Sequence, residues 1–385
     1  MKKYKMVTII LTIILVFISF QISAQNNKSF IEGLQAYYNN NPGEAIEIFE
    51  KVLKQEPDTE LKTDTLYFKT LAHIDDYQVQ TARETIEELS DMGYEFGFLY
   101  WKVGKLYLNK NRKFDSASYD EALEMLNQAE KNGIKSAQFY RDLAFCYKEL
   151  DQFNQAIESY KKVLDIEKKA DDYINLASLY QKTDNIEKAI KNYEYALTVN
   201  PEASVHLELG KIYYNKENYD EAADILKKGV NNRPDFNPIR FELAKTYFAQ
   251  NNYKDAISQF EEVINRNQNY YQAYYYLGKI YYEEDNYNEA INRFKDAIKH
   301  NPNYARAYIG LGHVYLEQEN YYEAITNFSN AIEKNERNPE AHFSLAQAYI
   351  KLDMTEDAIS ELRRTIHLSS DHEKAQKLLD EIMEE

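Results

Sequence analysis

The chain has 385 residues, a formal net charge of −17 at pH 7, 44% hydrophobic residues and 28% charged residues. A surface with this excess of carboxylates repels phosphate backbones, so we expect no nucleic acid partner. Glycine and proline number only 11 and 7, and their scarcity favours an all-helical fold. The single cysteine, Cys146, excludes a fold held together by internal disulfides.

The first predicted element is a targeting segment at residues 1–24. Three lysines among the first five residues precede an apolar run at 6–20, and Ala24 provides a small residue after it. These are the three parts of a secretory signal peptide, so we expect an exported protein, either periplasmic or secreted. The alternative is an uncleaved anchor in the inner membrane formed by residues 6–22, although a full span needs about 20 apolar residues. Membrane association is expected only in that case.

Further along, the sequence repeats itself every 33 or 34 residues. A tyrosine recurs with this period, a glycine or alanine stands three positions before it, and an alanine stands nine positions after it. The tyrosines are Tyr147, Tyr180, Tyr213, Tyr247, Tyr281, Tyr315 and Tyr349. Apolar residues at helical spacing on both sides of a polar turn predict two helices in each repeat. The small residues let the two helices approach closely, and the fixed period predicts a stacked repeat protein.

The repeat resembles the tetratricopeptide repeat (TPR), whose pattern combines aromatic, Leu-Gly, Tyr, Ala and Pro positions. Residues 271–304 carry nearly all of it. The matching residues are Tyr274, Leu277, Gly278, Tyr281, Tyr287, Ala290, Phe294, Ala297 and Pro302. The resemblance covers nearly the whole mature chain. It implies an all-α fold, a right-handed superhelical solenoid of about ten TPR helix pairs with a C-terminal capping helix.

Ten repeats are predicted after the targeting segment. We number them 1 to 10, at 26–59, 60–96, 97–136, 137–169, 170–202, 203–236, 237–270, 271–304, 305–338 and 339–372, with a capping helix at 373–385. Repeat 2 is degenerate, and the pairing of its helices is left open. Repeat 3 has an insertion near 109–118, which we expect to be an exposed loop between its helices.

The sequence predicts no catalytic site. It contains no glycine-rich phosphate loop, no HExxH or GxSxG motif and no pair of cysteines, and its seven histidines are scattered. Ten repeats, a targeting segment and a cap account for the whole length. We therefore expect a protein that is not an enzyme, with no cofactor and no metal site.

One face of the first helix in each repeat is left free by the packing residues. It lies at offsets −6, −3, +1 and +4 from the small residue, spacings that place four side chains on one side of a helix. We call this face the first-helix stripe and expect it to line a concave groove that binds a partner. The candidate binding residues are Lys211, Tyr214, Phe241, Lys245, Phe248, Tyr275, Lys279, Tyr282 and His313.

These residues predict a non-enzymatic scaffold of the cell envelope that binds an extended peptide or partner-protein segment of acidic and aromatic character. The alternative function is binding of carbohydrate or an envelope polymer by tyrosines. Two structural alternatives also stay open: the lysines could pair with Glu208, Glu242 and Glu283, and some rings could pack against the neighbouring helix. The clamp for a C-terminal carboxylate known from other TPR proteins is not supported, because its offsets hold Glu208, Glu242, Tyr276 and Gly310. The sequence predicts neither the partner's identity nor the oligomeric state.

Overall fold

The computed structural model describes residues 26–108 and 118–384. The predicted targeting segment at 1–24 and nearly all of the predicted loop in repeat 3 lie outside the described residues. The chain forms two compact units, Met1–Ala189 and Ile190–Glu385, which we call unit 1 and unit 2. Every regular element among the described residues is an α-helix, so the predicted all-α class is confirmed.

The described part of unit 1 consists of short helices of similar length joined by tight turns. They are α1 (Asn26–Tyr38), α2 (Pro42–Leu53), α3 (Thr59–Asp75), α4 (Val79–Asp91), α5 (Gly97–Leu108), α6 (Tyr119–Lys131), α7 (Ala137–Glu149), α8 (Phe153–Ile166) and α9 (Ala170–Lys182). The next helix, α10 (Ile186–Val199), begins in unit 1 and ends in unit 2.

Consecutive helices of unit 1 pack as pairs. The helix α1 packs against α2, α3 against α4, α5 against α6 and α7 against α8. Each pair also contacts the next one, through α2 and α3, α4 and α5, α6 and α7, and α8 and α9. The pairing of α3 with α4 answers the question that the sequence of repeat 2 leaves open.

Unit 2 continues with eleven further helices in its described part. They are α11 (Ala203–Asn215), α12 (Tyr219–Asn232), α13 (Asn237–Ala249), α14 (Tyr253–Arg266), α15 (Tyr271–Glu283), α16 (Tyr287–His300), α17 (Ala305–Glu317), α18 (Tyr321–Lys334), α19 (Pro339–Ile350), α20 (Thr355–Leu368) and α21 (Glu373–Glu384). The odd-numbered helices from α11 to α19 are the first helices of repeats 6 to 10.

The first helices of unit 2 lie side by side. Each packs against the second helix of its own repeat, and α11 also contacts α13, α13 contacts α15, α15 contacts α17 and α17 contacts α19. Side chains on the same face of successive first helices therefore become neighbours in space, although they are about 34 residues apart in sequence.

Close approach of the paired helices explains the small residues of the repeat. A methyl group added at Gly278 on α15 would lie 2.7 Å from the ring of Phe294 on α16. Ala290, one turn before that ring, is completely buried. The ring occupies the space that a side chain at 278 would need. The two helices can therefore cross this closely only where one of them has a residue with a very small side chain or none.

The turn inside each repeat has a recurrent backbone conformation. One non-glycine residue at the end of the first helix has a positive φ in each of nine repeats. These residues are Asn40, Tyr77, Asp151, Asp184, Glu217, Asn251, Asp285, Glu319 and Asp353. In repeat 6 the backbone N–H of Asn218 donates to the carbonyl oxygen of Tyr213, and the backbone N–H of Glu217 donates to that of Tyr214. These two hydrogen bonds are the pattern of a Schellman motif.

The last helix covers an apolar end of unit 2. Ala375 of α21 is completely buried against Ala346 and Leu362, with Leu378 and Ile382 packed alongside. This contact hides the apolar side of α20 that would otherwise face solvent. None of the described helices is both long enough and apolar enough to cross a membrane.

Candidate functional site

All nine candidate binding residues lie on first helices of unit 2. The helix α11 carries Lys211 and Tyr214; α13 carries Phe241, Lys245 and Phe248; α15 carries Tyr275, Lys279 and Tyr282; and α17 carries His313. The structure brings several of them together across repeat boundaries. Lys245 Nζ lies 5.0 Å from the ring centroid of Tyr214, and Lys279 Nζ lies 5.0 Å from that of Phe248. The first-helix stripe is therefore continuous from α11 to α15.

Two of the three candidate lysines, Lys211 and Lys245, are already neutralised. Lys211 Nζ lies 2.9 Å from Glu208 Oε1, and Lys245 Nζ lies 2.8 Å from Glu242 Oε2. In both cases the glutamate comes three residues before the lysine in the same helix. The side chain of Lys245 is also only 19% exposed. The alternative of local ion pairs is thus the observed structure for Lys211 and Lys245.

Lys279 has a different environment. Tyr276 occupies the position that corresponds to Glu208 and Glu242, and its ring stacks on Phe260 with a centroid distance of 5.3 Å. Among the described residues, no carboxylate oxygen lies within 4.0 Å of Lys279 Nζ. The expected alternative partner, Glu283, therefore forms no ion pair with Lys279, although it lines the same pocket.

The aromatic residues of the stripe divide into buried and accessible rings. Phe241 is only 8% exposed, because it is enclosed by Phe260 and by Tyr270 and Tyr276 at centroid distances of 5.0 to 5.8 Å. The expectation that Phe241 is an exposed ring is therefore wrong, and the residue belongs to the core. The other candidate rings remain partly exposed. They are Tyr214, Phe248, Tyr275 and Tyr282.

Tyr275 and Tyr282 keep their hydroxyl protons at neutral pH. Burial raises the pKa of Tyr275 above its ordinary range. Burial, together with the nearby carboxylate of Glu317, raises the pKa of Tyr282 to about 12. The Tyr282 hydroxyl lies 3.5 Å from Glu317 Oε1. Both tyrosines therefore present hydroxyl groups that can donate hydrogen bonds.

A pocket of about 120 Å³ lies beside Lys279, between α15, α17 and the first turn of α19. Four of the nine candidate residues line it, namely Tyr275, Lys279, Tyr282 and His313. The space corresponds to about four water molecules at roughly 30 Å³ each. Small-molecule and cofactor sites begin at roughly 300 Å³. The pocket therefore has room for about one amino-acid side chain.

Gly310 and Phe294 are two of the residues that line this pocket. Gly310 on α17 stands at the offset that holds Glu208, Glu242 or Tyr276 in the three preceding repeats. The ring of Phe294 on α16 packs against this glycine, and a methyl group added at position 310 would lie 2.6 Å from Phe294 Cε1. The ring and the bare backbone of Gly310 together form part of the pocket wall.

Charged side chains of both signs surround this space. Lys279 and Arg306 provide two cations, and Glu283 and Glu340 provide two carboxylates. His313 adds no charge at neutral pH, because burial lowers its pKa more strongly than the nearby glutamates raise it. The pocket is therefore close to electrically neutral, although it lies in an acidic protein.

Sequence reasoning missed Arg306 and the role of Gly310. Arg306 stands at offset −6 of repeat 9, a position that belongs to the stripe, so the spacing rule alone could have found it. Gly310 gives no such signal, because its role depends on the position of the Phe294 ring. Among the described residues, no group of three or more His, Cys, Asp or Glu side chains is placed to hold a metal ion.

Comparison with protein families identifies the repeats. Residues 278–319 and 312–353 match a model described as TPR repeat. Residues 241–291 and 137–169 match two models described as tetratricopeptide repeat. Residues 182–263 match the model of anaphase-promoting complex, cyclosome, subunit 3. The chain therefore contains tetratricopeptide repeats, which generally mediate protein–protein interactions and typically form non-enzymatic scaffolds.

Solved TPR structures share the fold. The C-terminal part of a TPR repeat-containing protein from Cytophaga hutchinsonii has a TM-score of 0.54 and 20% identity, over 64% of this chain and 99% of that chain. A tetratricopeptide repeat protein from Parabacteroides merdae has a TM-score of 0.54 and 15% identity, over 65% of this chain and 100% of that chain. A search of curated proteins gives no significant match.

Proposed function

We propose that this protein is a non-enzymatic interaction scaffold whose unit 2 binds an extended peptide, or an extended segment of a partner protein, along the first-helix stripe. The continuity of the stripe carries this proposal. Lys245 lies over Tyr214 of the preceding repeat, and Lys279 lies over Phe248 of the preceding repeat. A row of partly exposed rings and polar groups across α11, α13, α15 and α17 suits a chain that runs across successive helices.

The chemistry of the stripe favours a segment with aromatic and acidic residues. Phe248, Tyr275 and Tyr282 supply partly exposed ring surface, and burial of such surface supplies most of the affinity in peptide recognition. Lys279 supplies a charge that is not held in a direct ion pair, and such a charge mainly sets orientation and association rate. Lys211 and Lys245 contribute less to a partner, because their charges are already paired.

We place this scaffold in the cell envelope, as an exported periplasmic or secreted protein. The support is the sequence of residues 1–24, which has the three parts of a signal peptide. The test is N-terminal sequencing of the protein from fractionated cells. A mature chain that begins at Gln25 in the periplasm or the medium supports the proposal, whereas an intact N-terminus in the cytoplasm contradicts it.

The binding surface can be tested with a photo-crosslinking amino acid. Tyr282 is replaced by p-benzoylphenylalanine in the full chain, and adducts are collected from an envelope extract. Tyr322 receives the same replacement as a control, since it lies on α18 away from the stripe and is 72% exposed. A synthetic peptide that spans the crosslinked segment then competes with the adduct.

Adduct formation at position 282 that this peptide suppresses, with little adduct at position 322, supports the proposal. Unspecific collisions would favour the more exposed position 322, and equal or greater labelling there contradicts the assignment. Suppression at 282 by free saccharides rather than by peptide favours the alternative of carbohydrate binding.

A further inference from the structure

The chain itself shows how a lysine on the first-helix stripe is neutralised. In repeat 6, Lys211 Nζ lies 2.9 Å from Glu208 Oε1, and in repeat 7, Lys245 Nζ lies 2.8 Å from Glu242 Oε2. Both carboxylates stand at offset −2 from the small residue, and both lysines stand at offset +1. Repeats 6 and 7 thus provide a template in which the carboxylate comes from the same helix.

Repeat 8 has the lysine but lacks the carboxylate. Tyr276 stands at offset −2, and it cannot neutralise Lys279 because its phenol is uncharged at neutral pH, and burial raises the pKa of this phenol further. In the next repeat, Gly310 stands at the same offset and lines the pocket beside Lys279, with the Phe294 ring packed against it. Two successive repeats therefore lack a carboxylate at offset −2, the position that neutralises the lysine in repeats 6 and 7.

A second cation lines the same pocket. Arg306 is exposed at the start of α17. Among the described residues, no carboxylate oxygen lies within 4.0 Å of its guanidinium group. Lys279 and Arg306 are thus two cations without a direct ion pair, beside a space with room for about one side chain.

We propose that this pocket is a subsite for one carboxylate side chain of the segment that unit 2 binds, with the carboxylate held between Lys279 Nζ and the guanidinium of Arg306. The partner provides in the complex the charge that Glu208 and Glu242 provide within the chain. The inference rests on the proposed function and narrows it to segments that contain a glutamate or an aspartate. Hydrogen bonds between an ionised carboxylate and these two cations are stronger than neutral ones.

The two glutamates of the pocket restrict the segment further. Glu283 and Glu340 are both exposed and line the same space. These glutamates repel a second carboxylate next to the bound one. A partner segment with two adjacent acidic residues is therefore bound less tightly than a segment with one. The subsite therefore takes a single acidic residue with neutral or basic neighbours, rather than a run of acidic residues.

The test begins with an unbiased choice of ligand. Random peptides of twelve residues displayed on phage are selected on the immobilised full chain. Selected sequences are synthesised with acetylated and amidated ends, so that only side chains carry carboxylates, and their dissociation constants are measured by fluorescence polarisation. The protein variants are Lys279→Gln and Arg306→Gln. Lys211→Gln is the matched control, since that lysine is paired with Glu208. Circular dichroism confirms that each variant is folded.

We expect the selected peptides to share one acidic position. Replacement of this acidic residue of the peptide by glutamine weakens binding to the wild-type protein and to the Lys211→Gln protein by about ten-fold. This is the effect of one charge-assisted hydrogen bond. The same replacement has a smaller effect on binding to Lys279→Gln or Arg306→Gln, because each of these variants has lost one of the two groups that the carboxylate contacts.

Other outcomes overturn the inference. Selected peptides without a common acid, or an equal loss with every protein variant, contradict the subsite but leave the stripe as a binding surface. Rescue of the glutamine peptide by a free carboxyl terminus contradicts the assignment to a side chain. Failure to select any peptide contradicts both the subsite and the proposed function.

Discussion

Lys279 Nζ lies 5.0 Å from the centroid of the Phe248 ring, which belongs to the preceding repeat. Lys245 stands in the same relation to Tyr214. In both cases, the lysine at offset +1 of one repeat contacts the ring at offset +4 of the preceding repeat. Such cation–π contacts stabilise by about 0.5 to 1 kcal/mol at exposed sites. These lysines thus help to hold neighbouring first helices together.

Replacement of Ala290 by phenylalanine tests the helix crossing. Ala290 is completely buried one turn before Phe294, so the larger side chain has no space, and we expect a loss of stability of about 1 to 3 kcal/mol. Thermal unfolding followed by circular dichroism measures it. Ser329→Phe, at an exposed position of α18, is the control and should leave the melting temperature nearly unchanged. An unchanged melting temperature for Ala290→Phe contradicts the observed pairing.

Glycine at the turn inside a repeat should stabilise the protein. Glu217 has a φ of 61°, a conformation that costs a residue with a Cβ roughly 1 kcal/mol relative to glycine. Glu217→Gly is therefore expected to raise the melting temperature. Glu261→Gly is the control, since Glu261 is exposed inside α14, where glycine costs about 1 kcal/mol. The two substitutions should have opposite signs, and a loss of stability in both contradicts the turn conformation.

A buried ion pair in unit 1 gives a third prediction. Asp172 is 1% exposed, and its oxygens lie 2.7 and 2.8 Å from Arg141 Nε and Nη2. Arg141→Met leaves this carboxylate buried without its cation and should cost about 3 kcal/mol. Asp172→Asn in the same chain removes the stranded charge, so the double variant should be more stable than Arg141→Met alone. A double variant that is no more stable than Arg141→Met alone contradicts the importance of the charge.

The stability of unit 1 should depend on the ionisation of Asp64. Burial, and secondarily Glu60, raises the pKa of the Asp64 carboxyl from 3.8 to about 6. A pKa that is higher in the folded state means that ionisation opposes folding, so the penalty is absent below pH 3.8 and complete above pH 6. Asp64→Asn removes the penalty and is therefore expected to raise the melting temperature at pH 7.5 but not at pH 4.

The control for this prediction is Asp224→Asn, at an exposed position of α12. Its melting temperature relative to the wild-type protein should not change between pH 4 and pH 7.5. An equal effect of Asp64→Asn at both pH values would show that the substitution acts through packing rather than through charge.

Much of the fold follows from the sequence because its determinants are local and periodic. The spacing of Gly278, Ala290 and Phe294 describes one crossing of two helices, and the same spacing recurs along the chain. Composition and period together therefore predict the helical class and the paired packing. The exact repeat boundaries stay predictions. The targeting segment also stays a prediction, since residues 1–24 lie outside the described part of the chain.

The candidate site could be predicted only in part, because its properties depend on side-chain orientation. Helical spacing allows Lys211 and Lys279 equally to face a partner. Only the structure shows that Glu208 neutralises the first, whereas Tyr276 turns toward Phe260 and leaves the second unpaired. Likewise, Phe241 has the offset of a stripe residue but is enclosed by rings of its own and the next repeat.

A crystal structure of the full chain with its partner segment is the most direct test of the central claim. We expect an extended segment across α11, α13, α15 and α17, in contact with the rings of Phe248 and Tyr282, with an acidic side chain between Lys279 and Arg306. A segment bound on the second helices of unit 2, or on unit 1, would contradict it.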